Sequence, residues 1–174
     1  MSTETFSESN RFISLIDHGY FPPEYPHGVK LGFVNANPFA EGIANLGYQA
    51  IADYLLQKGV NVYFAFANTP SKEGFFLNAD LHPRDCDLIA ISVPFEDTFL
   101  NVLRMLHIAG FPIYARDRND GFPPVILGGM AMINPLPLQD FADIVVAGEG
   151  RDALFEITRR FEIFHQPVDK EMFL

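Results

Sequence analysis

A single cysteine (Cys86), no tryptophan and only 12 Lys and Arg residues are what this 174-residue sequence is short of. One thiol closes no internal disulfide and assembles neither a zinc site nor an iron–sulfur cluster from thiolates within the chain. The histidines (His18, His27, His82, His107 and His165) show no HxxxH or HExxH spacing, so no local motif supplies a metal site either. Against the few cations stand 22 Asp and Glu, a formal net charge of −10. Such a surface repels phosphate backbones and anionic headgroups alike, which sets aside nucleic acid and membranes as partners. The opening MSTETFSESN has neither a basic n-region nor an apolar stretch, and no run approaches the ~20 apolar residues of a spanning helix. A cytoplasmic protein is expected.

What is present suffices for a core. Apolar residues make up 48% and charged residues 20%, which predicts a folded chain of single-domain size. Aromatic usage is skewed, with 18 Phe and six Tyr. Phe21, Phe39, Phe75, Phe76, Phe95 and Phe122 fall in or next to predicted connections, which hints at a surface made to be covered.

Residues 1–28 read as an arm, because Phe21-Pro22-Pro23-Glu24-Tyr25-Pro26 can be neither helix nor central strand. Residues 29–166 form the expected domain, and 167–174 a tail or the start of a linker; the apolar ending Met172-Phe173-Leu174 is compatible with a following domain. Predicted strands lie near 30–35, 61–67, 87–93, 125–127 and 144–147, and predicted helices near 41–58, 95–109 and 151–164. Thr69 to Asp85 shows no regular element. Near-continuous apolar strands alternating with helical stripes indicate an α/β fold, an open, doubly wound, mainly five-stranded parallel sheet with flavodoxin-like strand order. In such sheets ligands sit at the carboxyl ends of the strands.

The loops that follow the strands therefore hold the candidates. The first, from Asn35 through Asn37, Glu41 and Gly42 to Asn45, is neither a dinucleotide fingerprint nor a phosphate loop. Asn37 and Pro38 can make a turn, and Glu41 suits a helix start. Ser92, followed by Pro94 and Glu96, either caps the next helix or contacts a ligand. Gly128 and Gly129 end the fourth strand ahead of Asn134, and Gly148-Glu149-Gly150 ends the fifth. Both strand ends strip the backbone of side chains where a ligand or partner comes close.

Over about 30–154 these motifs resemble the cobalamin-binding-type, Rossmann-like domain at the N-terminus of radical S-adenosylmethionine proteins. The resemblance rests on E-G-x-x-N-L-G (Glu41 to Gly47), N-V-L-x-x-L-x-x-A-G-x-P (Asn101 to Pro112), G-G-x-x-x-x-N-P-x-P (Gly128 to Pro137) and D-x-x-x-x-G-E-G (Asp143 to Gly150), in that order. It implies strand ends that hold the lower face and nucleotide tail of cobalamin, with Ser92, Gly128 and Gly129 at the tail pocket.

Two departures qualify the expectation. Family members that ligate cobalt through the protein carry D-x-H-x-x-G after the first strand, and here that loop has no histidine. The nearest string, Asp80 to Asp85, places His82 before the third strand, at the wrong edge of the sheet. The C-x-x-x-C-x-x-C that holds a four-iron cluster is also missing, so cluster and S-adenosylmethionine belong to a partner domain in the same or a separate chain. Two readings follow: a module that holds cobalamin for that domain without a histidine ligand, or a degenerate scaffold that packs on a partner and binds no cofactor. An independent hydrolase or oxidoreductase has no motif in its favour.

Overall fold

The computed structural model describes residues 24–70 and 74–165. The polar leader, the Phe21–Pro23 part of the arm and the tail beyond 165 lie outside the described residues. Five parallel strands, β1 (Lys30–Asn35), β2 (Asn61–Phe66), β3 (Leu88–Ser92), β4 (Val125–Gly128) and β5 (Ile144–Val146), form one sheet in the order β2-β1-β3-β4-β5. This is the flavodoxin-like α/β arrangement. All six residues of β2 and the last five of β1 are buried, as strands covered on both faces must be.

Alternation along each strand divides the core in two. Leu31, Phe33, Phe64, Leu88, Ala90 and Ile126 face the layer that contains Tyr48, Leu55 and Leu154. Val34, Ile89, Ile91 and Leu127 face Val102, Met105, Leu106 and Phe111. The loop after β2 shields that strand's outer edge: Leu77 N–H donates to the Phe64 carbonyl, and Asn78 brackets Phe64 N–H and the Val62 carbonyl at 2.7 and 2.9 Å.

The helix expected over 41–58 is two helices, α1 (Phe39–Gly42) and α2 (Leu46–Gln57). Asn45 makes the break. Its backbone is extended, and its side-chain oxygen accepts from Tyr48 N–H at 3.0 Å, the N-cap geometry that contributes about 1 kcal/mol. The helix expected over 95–109 likewise begins as a 3₁₀ turn (Glu96–Thr98), where the Thr98 hydroxyl donates to the Phe95 carbonyl, before α3 (Phe99–Ile108). The last helix, α4 (Gly150–His165), follows β5 directly. Between Thr69 and Asp85 the described residues hold one 3₁₀ turn, Pro83–Asp85, whose cap is His82: Arg84 N–H donates to its Nδ1. His82 thus stands at the amino end of β3. No described helix is long and apolar enough to cross a membrane.

Candidate functional site

Parallel register lines up Asn35, Ser92, Gly128 and Val146 in one row at the carboxyl rim of the sheet, with Phe33, Ala90 and Ile126 two residues deeper on the same face. Ala90 is small between Phe33 and Ile126, and Gly128 carries no side chain between Ser92 and Val146. The α2 and α4 layers meet the sheet above this gap, and a cleft of about 310 Å³ results. Its floor and walls are Phe33, Tyr48, Ile51, Ala90, Ile126, Val146 and Leu154; its rim carries Asn45, Gly47, Ser92, Pro94, Gly128, Gly129, Met130, Gly148, Glu149 and Gly150.

The interior is apolar and fixed. Tyr48 stacks on Phe33 with ring centroids 4.3 Å apart and donates its hydroxyl to the Phe33 carbonyl at 2.7 Å. Burial pushes the Tyr48 phenol far above its ordinary range, so the wall stays neutral. At the rim, the Glu149 carboxylate accepts from Arg151 N–H and Asp152 N–H at 3.1 and 3.2 Å. It caps α4, and the positive end of that helix is already neutralised by the chain itself. Arg151 lies beside the Asp152 carboxylate and over the Tyr54 ring. Among the described residues the Ser92 hydroxyl and the Asn45 side-chain N–H₂ have no hydrogen-bond partner, so two polar groups stand free at the mouth of an apolar slot.

Of the residues singled out from sequence, Asn45, Ser92, Pro94, Gly128, Gly129, Gly148, Glu149 and Gly150 come together on this cleft. Asn37, Glu41, Gly42, Glu96 and Asn134 are not on its wall. Asn37 is buried; its N–H donates to the Asn35 side-chain oxygen and its carbonyl accepts from Ala67 N–H, which ties the first loop to the end of β2. Gly42 serves packing, since a Cβ there would lie 2.5 Å from the Phe66 ring. Glu41 on α1, Glu96 on the 3₁₀ turn and Asn134 on the loop after β4 are exposed outside the slot.

The two rim glycines of β4 have different reasons. Gly129 adopts φ 111°, and a Cβ there would come within 2.6 Å of the Val93 carbonyl oxygen. The turn itself therefore requires a glycine at 129, independently of any ligand. A Cβ on Gly128 would meet only Val146, at 3.8 Å. The motif's Asp143 is also structural. It accepts from Val125 N–H at 2.7 Å and pairs at 3.0 Å with Arg118, whose buried guanidinium also reaches the carbonyls of Pro112, Ile113 and Phe141.

Sequence reasoning missed the lining made by Phe33, Tyr48, Ile51, Ala90, Ile126 and Leu154, and by Met130 at the rim. The one available signal was size: Ala90 is a small residue inside a run of large ones. The described residues contain no group of three or more His, Cys, Asp or Glu side chains able to hold a metal. No histidine lines the cleft.

No curated protein matches the chain. The profile of the family described as "Radical SAM proteins, N-terminal" matches residues 68–174, well over half of the sequence and the stretch that carries β3, β4, β5 and their loops. The chain belongs to the radical S-adenosylmethionine N-terminal domain family.

Proposed function

We propose that this domain holds cobalamin for a radical S-adenosylmethionine catalytic domain, with the nucleotide tail of the cofactor in the cleft between the sheet, α2 and α4. The observation that carries the reading is the slot itself: apolar walls, a neutral phenol, and free polar groups only at the carboxyl rim. Its volume lies at the lower end of the range for small-molecule pockets, about 300–1,000 Å³, which suits one heteroaromatic base with part of its sugar. The corrin ring is too large for the slot and has to remain outside it. In this reading Ala90 and Gly128 would leave room for the base, Ile126, Phe33 and Leu154 would line it, and the Ser92 hydroxyl would be the donor available to it. Bound cobalamin supplies methyl-transfer or related cobalt chemistry, while cluster and S-adenosylmethionine stay with the partner domain. No histidine on the cleft is in a position to ligate cobalt, so the cofactor is held by its tail rather than by its metal.

The test compares hydroxocobalamin with cobinamide, which lacks the nucleotide tail. After mixing and desalting, the protein retains cobalamin and not cobinamide, and the cobalt(II) form gives an electron paramagnetic resonance spectrum without a histidine nitrogen. Protein that elutes colourless from both overturns the reading. The remaining alternative is then the scaffold that binds no cofactor, which the exposed Phe95, Met130, Ile133 and Leu136 favour.

A further inference from the structure

Below its rim the cleft has almost nothing polar to offer a ligand. Its floor lies on the three inner strands, where Phe33, Ala90 and Ile126 have a parallel partner on each side, so the main chain there is already committed to the sheet. The one hydroxyl in the wall, that of Tyr48, is given to the Phe33 carbonyl. The side chains that complete the wall, Ile51, Val146 and Leu154, carry no polar atom. What remains free is at the mouth, the Ser92 hydroxyl and the Asn45 side-chain N–H₂, and both can donate.

Charge is disfavoured as well. Among the described residues no Lys, Arg or His lines the cleft, and the amino end of α4, which could have received a phosphate, is taken by the Glu149 carboxylate. A phosphate entering the slot meets a carboxylate and no cation. A flat ligand therefore has to be uncharged, apolar at its far end and furnished with an acceptor only at the end that faces Ser92. A base with further ring nitrogens or an amino group would bury them without partners, and each such group counts against binding. We propose that the slot selects a benzimidazole-type base, with one free ring nitrogen and an apolar carbocycle, against an adenine-type base, with three ring acceptors and an amino group. The inference rests on the reading of this cleft as the seat of a cobamide tail and specifies which tail is held. Ala90 leaves the depth that the carbocycle fills, and Ser92 fixes the end that stays at the mouth.

The probes are two cobamides with different bases: cobalamin, with its dimethylbenzimidazole, and the adenine-tailed cobamide. Equilibrium dialysis against the full chain is expected to show cobalamin bound at least tenfold more tightly, toward the ~100-fold by which an apolar pocket rejects an isostere with an added hydroxyl. Methyl NMR locates the base. The riboside of dimethylbenzimidazole is expected to shift the Ala90 and Ile126 methyls, and adenosine is expected to leave them in place. Equal binding of the two cobamides, or a preference for the adenine tail, overturns the proposal and leaves the cofactor reading standing. Shifts confined to methyls outside the cleft overturn both. If neither cobamide binds, the cofactor reading fails and the ribosides decide: shifts of the cleft methyls by the dimethylbenzimidazole riboside alone support the selection, and no difference between the two ribosides overturns it.

Discussion

The two edges of the sheet are built on opposite rules. At the amino edge the polar and cationic groups are spent on the chain itself: Asp87 accepts from Lys30 N–H, Asn61 donates to the carbonyls of Tyr25 and Gly28, Arg84 lies over the Phe122 ring and donates to Gly110, and Arg118 joins Asp143 to three carbonyls. At the carboxyl edge glycines replace side chains, hydroxyl and amide groups stand free, and large apolar side chains face solvent. The first edge ties the chain to itself; the second leaves an open cleft and exposed apolar side chains. Substitutions should therefore cost stability at one edge and binding at the other.

The sharpest way to break that contrast is Arg118→Ala. It leaves the half-buried carbonyls of Pro112, Ile113 and Phe141 without their shared donor and removes the partner of Asp143, so unfolding in urea should show a loss of about 3 kcal/mol, the upper end for polar groups left unpaired. Gly129→Ala is the exception at the carboxyl edge. Its positive φ and the nearby Val93 carbonyl should cost about 1–3 kcal/mol in the same measurement, the usual range for backbone strain. Ala90→Leu sharpens the comparison from the other side. The added side chain enters the cleft, so stability should stay within about 1.5 kcal/mol of the parent while retention of hydroxocobalamin on desalting is lost. If Ala90→Leu still retains the cofactor, the tail does not occupy the slot.

The last effect expected, silent at neutral pH, is a pH dependence at the amino edge. Burial, with Asp87 and Asp85 nearby, pushes the Cys86 thiol from its ordinary value of 9.0 up to about 12. The folded state holds that proton more tightly than the unfolded chain. Its contribution is thus complete below pH 9.0 and is lost as the pH rises from there toward about 12. Thermal melts of the parent and Cys86→Ala across that window should converge as the pH rises, and iodoacetamide should leave Cys86 unmodified in the native protein at neutral pH. Rapid alkylation would contradict the burial.

Legibility in the sequence followed physical range. Val29 to Asn35 and Asn61 to Ala67 announce buried strands because both of their faces are covered, and no charged residue interrupts 31–35 or 61–67. The break at Asn45 was hidden, since a helical stripe runs through it and the cap is one side-chain bond to Tyr48. Arg118 was hidden for a different reason. Its four acceptors come from 112, 113, 141 and 143, and no spacing between them signals that they meet.

By itself the sequence determined the class of fold and the edge at which to look, because strand period, helix stripe and glycine-stripped strand ends are local properties of the chain. It also excluded an internal iron–sulfur site, because thiolates can be counted. Only the tertiary structure decided that Ser92, Gly128 and Val146 share a row above Ala90, and that Gly129 is bound to the Val93 turn. Those facts depend on strand register and on the meeting of loops tens of residues apart, which local patterns do not encode.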